Sequence, residues 1–435
     1  MTTLKSVKSF AAFLIFSASA LAQGPTLKII YDFQGLPGDG QQPGSVVADS
    51  NGILYGNAGG GSSNNGIVFQ LTPPASAGGA WSEKILYEFA GGADGSGPGA
   101  LAIGRAGVLY GVTSGGGTAK HGVAFSLTPP TESGGAWTKT VIYNFEYASS
   151  GFAIGANGVL YATMEDGGDQ NCFTDGSGYR GCGSVYSLTP PSSASGAWTQ
   201  TVLYTFTNEN NDAGNPQAGV VIGPGGLLYG TSARGGTSGG GTVFSLTPPS
   251  SAGGAWTETV LVSFKWGGRG YEPQSSLTAA NGGTLYGTTW QGGNGGCPNE
   301  YSLFSCGSVF AITPPAAAGG AWAGHYLYDF YQVSGTPDAY SPVSAPVFGN
   351  AAGQPVLYGT SVYGGSMNIG ALYSLTPPAI AGGGWTETLV HSFVGGPSDG
   401  AFPSGLVRGP DGAIYGVTSE GGPGNNFGTA FSLRP

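Results

Sequence analysis

A short element of the form Leu/Ile-Tyr-Gly/Ala recurs along the chain and limits the possible folds more than any other feature of the sequence. Its tyrosine occurs seven times, at Tyr55, Tyr110, Tyr161, Tyr229, Tyr286, Tyr358 and Tyr415. Six copies continue into a Thr-Pro-Pro segment that is followed by a tryptophan, at Trp81, Trp137, Trp198, Trp256, Trp322 and Trp385. Repeats spaced by about 50 to 70 residues are typical of architectures in which each copy is one supersecondary unit.

Each repeat predicts four short β-strands. In the first copy, small residues at 44–48 form the first strand, and an Asn51-Gly52 turn leads to the second. The third strand stops at the Thr-Pro-Pro segment, because proline cannot donate a hydrogen bond to a sheet. The fourth strand is rich in aromatic residues, and a period of two places five side chains on one face: Trp81, Glu83, Ile85, Tyr87 and Phe89.

The size of the side chains changes across the repeat, from small residues in the first strand to Trp, Tyr and Phe in the fourth. Wedge-shaped sheets of this kind pack face to face around an axis. The segment 27–33 resembles a fourth strand, and the chain ends on 431–435, which resembles a third. The sequence therefore predicts an all-β, seven-bladed β-propeller with four antiparallel strands per blade, in which the N-terminal strand completes the last blade.

The N-terminus predicts export. Lys5 and Lys8 precede a short apolar run, and small residues lead to Ala22, so residues 1–22 read as a cleaved signal peptide and 23–435 as the propeller. No apolar run is long enough to cross a bilayer. The net charge is −10 at pH 7 and there is no basic cluster, which argues against nucleic acid as a partner.

The four cysteines form two close pairs in sequence. Export permits disulfides, so we expect the bonds Cys172–Cys182 and Cys297–Cys306. The alternative is a Cys₄ zinc site, but the close C-x₂₋₄-C spacing that such a site needs is absent. We therefore predict no metal site at the cysteines.

Four motifs carry a resemblance to a known family. Leu-Tyr-Gly-x-Thr, Gly-Gly, Gly-x-Val-Phe-x-Leu-Thr-Pro-Pro and Trp-Thr-Glu-Thr-Val-Leu-x-x-Phe resemble the GloVer tandem repeat of bacterial exported proteins, and do so over nearly all of the chain after residue 22. The resemblance implies export and propeller-like repeats rather than a particular chemistry. Members are often joined to a C-terminal anchor, whereas this sequence stops at Pro435 directly after a strand. We expect a secreted protein, either periplasmic or extracellular.

Propeller geometry sorts the loops between two faces. The loops that follow second and fourth strands open on one face, here called the variable face, which carries 169–182, 292–306 and the insertion 331–343. Variable loops on a repeated frame are the usual place for binding. On this face an aspartate, four residues before a proline, recurs at Asp39, Asp94, Asp212, Asp338 and Asp399. These carboxylates could line a cation or polyol site, but their recurrence favours turn capping.

Departures from the repeat are the better binding candidates. The predicted ligand-binding residues are Trp266, Arg269, Tyr271, Trp290, Tyr363, Arg234 and His121. Aromatic rings beside charged groups suit sugars, because a ring covers apolar C–H groups while polar groups bind hydroxyls. The alternative is that these residues pack the loops onto the frame.

Catalysis would need carboxylates. Glu165, Asp166 and Glu272 are the candidates for a glycoside hydrolase or polysaccharide lyase, although acidic clusters are usually a solvated surface. Asp166, Asp169 and Asp175 could bind Ca²⁺, but they lack the spacing of a calcium loop. We predict no other cofactor.

The leading hypothesis is a monomeric, secreted binding or scaffold protein that recognises extracellular polysaccharide or a cell-envelope glycan through the variable face. The first alternative is a polysaccharide-active enzyme on the same face, which no motif such as H-E-x-x-H or G-x-S-x-G supports. The second alternative is a structural or adhesive matrix protein.

Overall fold

The structure, a computed structural model, describes residues 25–435 except 36–37, 77, 133, 170–171, 173–180, 194–195, 210, 252, 294–305, 318, 332–337, 352–353, 381 and 424–425. Within these residues the chain forms seven antiparallel sheets of four strands, one with an additional short strand, and no α-helix. The sheets follow one another as the blades of a ring, so the predicted seven-bladed β-propeller is confirmed. The predicted signal peptide lies outside the described residues.

Each blade runs from an innermost first strand to an outermost fourth strand. Blades 1 to 3 contain β2 (Gly40–Ala48), β3 (Leu54–Gly60), β4 (Ile67–Thr72) and β5 (Ser82–Glu88); β6 (Ser96–Ile103), β7 (Leu109–Gly115), β8 (Val123–Thr128) and β9 (Thr138–Asn144); β10 (Ala153–Ile154), β11 (Leu160–Met164), β12 (Ser184–Thr189) and β13 (Thr199–Thr205). Blades 4 and 5 contain β15 (Val221–Ile222), β16 (Leu228–Ser232), β18 (Gly239–Thr247) and β19 (Thr257–Lys265); β21 (Thr278–Ala279), β22 (Leu285–Thr289), β24 (Ser308–Thr313) and β25 (Ala323–Asp329). Blades 6 and 7 contain β27 (Val347–Ala351), β28 (Gln354–Gly364), β29 (Ala371–Thr376) and β30 (Thr386–Ser392); β31 (Gly400–Arg408), β32 (Ile414–Gly421), β33 (Thr429–Arg434) and β1 (Thr26–Asp32).

Short pairs extend three blades towards the variable face. They are β14 (Ala213–Gly214) with β17 (Arg234–Gly235), β20 (Gly270–Tyr271) with β23 (Gln291–Gly292), and β26 (Ala339–Pro342) with β28. Three 3₁₀ turns complete the described elements, at Gly92–Asp94, Arg105–Gly107 and Pro224–Gly226.

The N-terminal strand closes the ring. Strand β1 pairs antiparallel with β33, so that Leu27 lies opposite Leu433 and Ile29 lies opposite Phe431. These side chains join the apolar cluster around Phe393 of the preceding blade. The N-terminal strand is therefore part of the core between blades 6 and 7, as the sequence predicts.

The first strands and their lead-in segments surround a central cavity of about 530 Å³. Every blade contributes to its wall, with Ser45, Ala100, Ser150, Gln217, Gln274, Ser344 and Gly405 among the lining residues. All described lining residues are uncharged. Small side chains are needed here because seven strands converge on the axis.

Aromatic pairs fill the space between blades. A phenylalanine at or just after the end of each fourth strand packs on an aromatic residue in the third strand of the next blade, as Phe206 does on Phe244 at 5.0 Å between ring centroids. Further along, the tryptophan before a fourth strand packs on the repeated tyrosine of the preceding blade, as Trp137 does on Tyr55 at 6.0 Å. The recurring aromatic residues of the sequence are thus the blade-to-blade contacts.

The glycine of the Leu-Tyr-Gly element has a steric cause. A Cβ atom on Gly230 would lie 2.4 Å from Cζ of Phe244, whose fully buried ring covers the glycine. The same overlap with a third-strand ring occurs at Gly56, Gly111, Gly287, Gly359 and Gly416. The close approach of a ring to the backbone explains why this position is nearly always glycine.

The prediction that the fourth strand keeps one face throughout is wrong. In blade 1 the pairing register shifts between Val68 and Phe69, which lie opposite Tyr87 and Ile85, so Leu86 is an extra residue in a β-bulge. The side chains before the bulge face the preceding blade, whereas Tyr87 faces the next one. The other fourth strands carry the same shift.

Candidate functional site

The links that enter the first strands form the mouth of the central cavity on the variable face. In five of them the residue before the proline is not glycine and has a left-handed φ of 50° to 56°: Gln42, Asn215, Glu272, Ser341 and Phe402. Residues other than glycine rarely adopt this conformation, and the position before a proline normally favours extended backbone. A tertiary contact that recurs in each of these links must therefore hold the residue in its left-handed conformation.

That contact is a bond to the preceding blade. The Glu272 N–H donates to the Gly240 carbonyl at 2.9 Å, and Pro273 packs against Gly241, where a Cβ would lie 2.7 Å from the proline ring. The equivalent bonds in the other links span 2.6 to 2.8 Å. Each link thus fastens one blade to the next and presents one side chain at the cavity mouth.

Glu272 is the charged residue among these five. Gln274, two residues further on, lines the cavity, so Glu272 lies at its entrance. Its carbonyl accepts a hydrogen bond from the Trp290 N–H at 3.1 Å. Burial raises the pKa of Glu272, and the Arg234 guanidinium opposes this rise. Three predicted residues from blades 4 and 5 are therefore neighbours.

Glu165 lies at the same mouth. Its carboxylate accepts a hydrogen bond from the Gln217 side chain at 2.7 Å, and Gln217 lines the cavity. Its carbonyl accepts one from the Asn215 side chain at 3.1 Å. Asp166 follows it and is half-buried. The two predicted catalytic glutamates thus reach the same entrance from neighbouring blade junctions.

Arg269, Tyr271 and Trp266 lie at the outer end of the link between blades 4 and 5. Arg269 donates to Asp329 at 2.7 Å and covers the Tyr326 ring at 5.0 Å, so it forms an ion pair within the frame. Tyr271 is buried and contacts Trp266, which is 51% exposed.

Tyr363 and His121 both stack on a neighbouring ring. Tyr363 stacks on Tyr340 at 5.6 Å and meets Phe402 edge-on at 6.5 Å. Tyr340 and Phe402 are not among the predicted residues. Aligning the links on their prolines would have found them, because Tyr340 occupies the position of Tyr271 and Phe402 occupies the position of Glu272. The exposed His121 stacks on Tyr147 at 6.3 Å, beside the short third link.

The recurring aspartates cap turns, as their recurrence favours. Asp39 accepts bonds from the Gln34 N–H at 2.7 Å, the Gly40 N–H at 2.6 Å and the Tyr31 hydroxyl at 3.0 Å. Equivalent bonds hold the others, at Asp94, Asp212, Asp338 and Asp399. Their carboxylates are committed to the links rather than gathered at the axis.

One predicted disulfide is present between Cys172 and Cys182. Cys306 is also disulfide-bonded, while Cys297 lies outside the described residues. Asp175, one of the possible calcium ligands, lies outside them too. Among the residues that are described, no group of three or more His, Cys, Asp or Glu side chains could hold a metal ion.

Sequence comparison agrees with the motifs. Residues 14–175 match the profile of the Gloeobacter/Verrucomicrobia repeat. This part of the chain carries the Gloeobacter/Verrucomicrobia repeat. The GloVer resemblance is thereby confirmed, and the same Leu/Ile-Tyr-Gly/Ala element continues through the later blades. Comparison with curated proteins finds no match.

Solved structures similar to this repeat protein share its fold. A streptogramin B lyase aligns with a TM-score of 0.54 at 15% identity, over 94% of this chain and 98% of that one. A PL25 ulvan lyase, bound to -[GlcA(1-4)Rha3S]-, aligns with a TM-score of 0.52 at 11% identity, over 92% of this chain and 94% of that one. At these identities the likeness concerns the fold alone. In the described part of the repeat protein, no helix is long and apolar enough to span a membrane.

Proposed function

We propose that the protein is an exported glycan-binding propeller that takes an uncharged polysaccharide at the cavity mouth of the variable face. The observation that carries this proposal is the partly buried carboxyl of Glu272 at the entrance of the central cavity, with Arg234 and Trp290 beside it.

The side chain of Glu272, rather than its backbone, distinguishes it from the equivalent link residues. Gln42, Asn215, Ser341 and Phe402 share its left-handed φ, and each is held by a hydrogen bond to the preceding blade. Among these five residues, Glu272 is the one that places a partly buried carboxyl at the cavity entrance, and burial raises its pKa. A titratable group perturbed in this way beside a cavity is a candidate for binding or catalysis, which supports a ligand contact at Glu272.

The cavity wall fits sugar chemistry. Its volume of about 530 Å³ lies within the range of small-ligand sites, and Gln217, Gln274 and several serines supply amide and hydroxyl groups. Such groups both donate and accept hydrogen bonds, as sugar hydroxyls require. Trp290 and Tyr363 are half-buried aromatic residues on the same face, and we expect their rings to cover the apolar side of a sugar ring.

Charge selects among glycans. Glu165, Asp166 and Glu272 lie at the mouth, where Arg234 is the nearby cation, and the whole chain carries a charge of −10. This field disfavours polymers rich in carboxylate or sulfate. The ulvan lyase of similar fold was solved with a glucuronate and sulfated-rhamnose polymer. We expect this chain to prefer neutral polysaccharides instead.

Binding to a polysaccharide panel tests the proposal. Mature protein should bind at least one neutral glycan more tightly than polyuronates or sulfated polymers, measured by calorimetry or on a glycan array. Trp290→Ala and Glu272→Gln should each weaken binding by about tenfold or more. Trp266→Ala is the matched control, because that tryptophan is on the outer end of the link and should leave the affinity unchanged. Preferred binding of polyanions, or equal effects of both tryptophan variants, would contradict the proposal.

Export is part of the same proposal. The Cys172–Cys182 disulfide fits an oxidising compartment, and residues 1–22 have the pattern of a signal peptide. Expression of the full chain in a Gram-negative host should give a periplasmic protein that begins at Gln23, as read by intact mass. A cytoplasmic, unprocessed product would argue against export.

One observation favours an enzyme as the second candidate. Burial raises the pKa of Glu272, which suits a general acid, and Glu165 lies at the same entrance. A polysaccharide hydrolase would release reducing ends, and a lyase would release unsaturated products that absorb ultraviolet light. Either activity should disappear in Glu272→Gln and fall in Glu165→Gln, whereas an inactive wild-type protein that still binds supports the binding role.

A further inference from the structure

Seven grooves lie between the fourth strands of neighbouring blades. Each contains a residue near the end of one fourth strand and the residue of the next fourth strand that pairs with the last Leu or Ile of its third strand. Six of the seven links also contribute the residue four positions before their proline, and the short link between blades 2 and 3 has no proline. Three of the grooves, here called the acidic grooves, contain two carboxyl groups: Tyr31, Asp39 and Glu83; Tyr204, Asp212 and Glu258; Tyr328, Asp338 and Glu387.

The β-bulge of the fourth strand creates this arrangement. It turns the glutamate of each outer strand towards the preceding blade and the tyrosine towards the following one. The groove between blades 3 and 4 is a cavity of about 390 Å³ lined by Tyr204, Asp212 and Glu258. Carboxyl groups from a link and from the next blade therefore meet across each junction.

The two carboxyls in a groove are unequally supported. The Asp212 carboxylate accepts hydrogen bonds from the Thr207 and Ala213 N–H groups, each at 2.8 Å. In contrast, Oε1 of the facing glutamate is buried without a hydrogen-bond partner in all three grooves, at Glu83, Glu258 and Glu387. An ionised glutamate would add a second negative charge where nothing compensates it.

Two other grooves show how the same position is satisfied. Lys139 replaces the glutamate between blades 1 and 2, where its ammonium lies 2.6 Å from the Asp94 carboxylate and is almost fully buried. Gln200 replaces it between blades 2 and 3 and accepts a bond from Tyr143 at 2.7 Å. The same position therefore accommodates a cation or a neutral amide, so the fold does not require a glutamate there.

We propose that the three acidic grooves are proton-dependent latches between blades, which hold the ring tightly in mild acid and loosen it at neutral pH. A neutral glutamic acid packs beside the aspartate without repulsion. Loss of its proton forces two like charges together across the junction, and the cheapest relief is separation of the blades.

The direction of the pH dependence follows from the linkage between proton binding and folding stability. Burial first, and then the neighbouring aspartate, raise the pKa of Glu83, Glu258 and Glu387 from 4.5 to about 7. A pKa that is higher in the folded state makes the stabilisation complete below about pH 4.5, and it is lost as the pH rises through about 7. Burial also raises the pKa of Asp338 to about 6, which acts in the same direction.

The groups that face each glutamate do not cancel this effect. Tyr31, Tyr204 and Tyr328 face the three glutamates from the preceding blade, and burial raises the pKa of each phenol, so these stay neutral. Tyr373 faces Glu387 from its own blade and has a raised pKa as well. Glu209 lines the cavity beside Glu258 and is a further carboxylate. Among the described residues, no lysine or arginine pairs with these glutamates.

Urea unfolding of the mature protein at about pH 5 and about pH 8 tests the latch. Between these values the unfolding constant should rise by about tenfold for each acidic groove, a value discounted from the full pKa shift because the groups are partly exposed. The triple variant Glu83→Gln, Glu258→Gln, Glu387→Gln should lose most of this rise, because glutamine is neutral at every pH. The His391–Asp399 pair remains in both proteins, so its contribution cancels.

If the triple variant fails to fold, a single substitution tests the same latch. Glu258→Lys should convert one acidic groove to the Lys139 type, stabilising the protein at about pH 8 by more than at about pH 5. Lys139→Gln, the matched control, should weaken the protein at both values, because Asp94 then loses its partner. Parallel pH profiles for wild type and either glutamate variant would overturn the proposal.

Discussion

Substitution of Gly230 by alanine tests whether ring packing dictates the Leu-Tyr-Gly element. The added Cβ would lie 2.4 Å from Cζ of Phe244 and 3.0 Å from two further ring carbons, whereas carbon atoms in contact prefer about 3.5–4.0 Å. Phe244 cannot yield freely, because its ring is fully buried and packs on Phe206 of the preceding blade. Overpacking costs about 1–3 kcal/mol, and this site belongs at the upper end of that range.

The assay is equilibrium urea denaturation of the mature protein. Gly384→Ala is the matched control, because Gly384 has no atom within 4 Å of the added Cβ and no left-handed φ. We expect it to be neutral or slightly stabilising, by about 0.4–1 kcal/mol. Combining Gly230→Ala with Phe244→Leu should recover part of the loss through a favourable coupling of about 1 kcal/mol. Equal stability of Gly230→Ala and Gly384→Ala would refute the steric explanation.

Two further predictions concern contacts between elements. The interblade pair Tyr55–Trp137 should show a coupling of about 0.5–1.5 kcal/mol in a double-mutant cycle with leucine at each position, measured by denaturation, and a coupling near zero would mean that the rings contribute only buried area. Loss of the Cys172–Cys182 bond through Cys172→Ser with Cys182→Ser should lower the free energy of unfolding by about 2–3 kcal/mol for a loop of 10 residues, and an unchanged denaturation midpoint would contradict this.

The features that sequence analysis predicts correctly depend on periodic patterns. Blade count follows from the repeated tyrosines, and closure follows from the likeness of 27–33 to a fourth strand, which the pairing of Leu27 with Leu433 confirms. The capping role of the aspartates follows from their recurrence, because every link needs a capped turn. In each case a local pattern repeats often enough to determine the structure.

The features that it misses depend on contacts across blades. Nothing in the alternation of the fourth strand shows that Leu86 is an extra residue, because the bulge is visible only in its pairing. The left-handed φ of Glu272 opposes the preference of a residue before proline, and it arises from the bond to Gly240. The Gln217–Glu165 bond joins residues 52 positions apart. Such partners become visible only when the repeats are arranged in a ring.

The union of the first and last strands imposes an order on assembly. Strand β1 is synthesised before the other strands of the ring, whereas its partner β33 lies about 400 residues further along the chain and follows them. Until then the edge of β1 has no partner, and an unpaired strand edge readily joins other chains. The segment that secures the finished ring is therefore the one most exposed to misassembly while the ring is still incomplete.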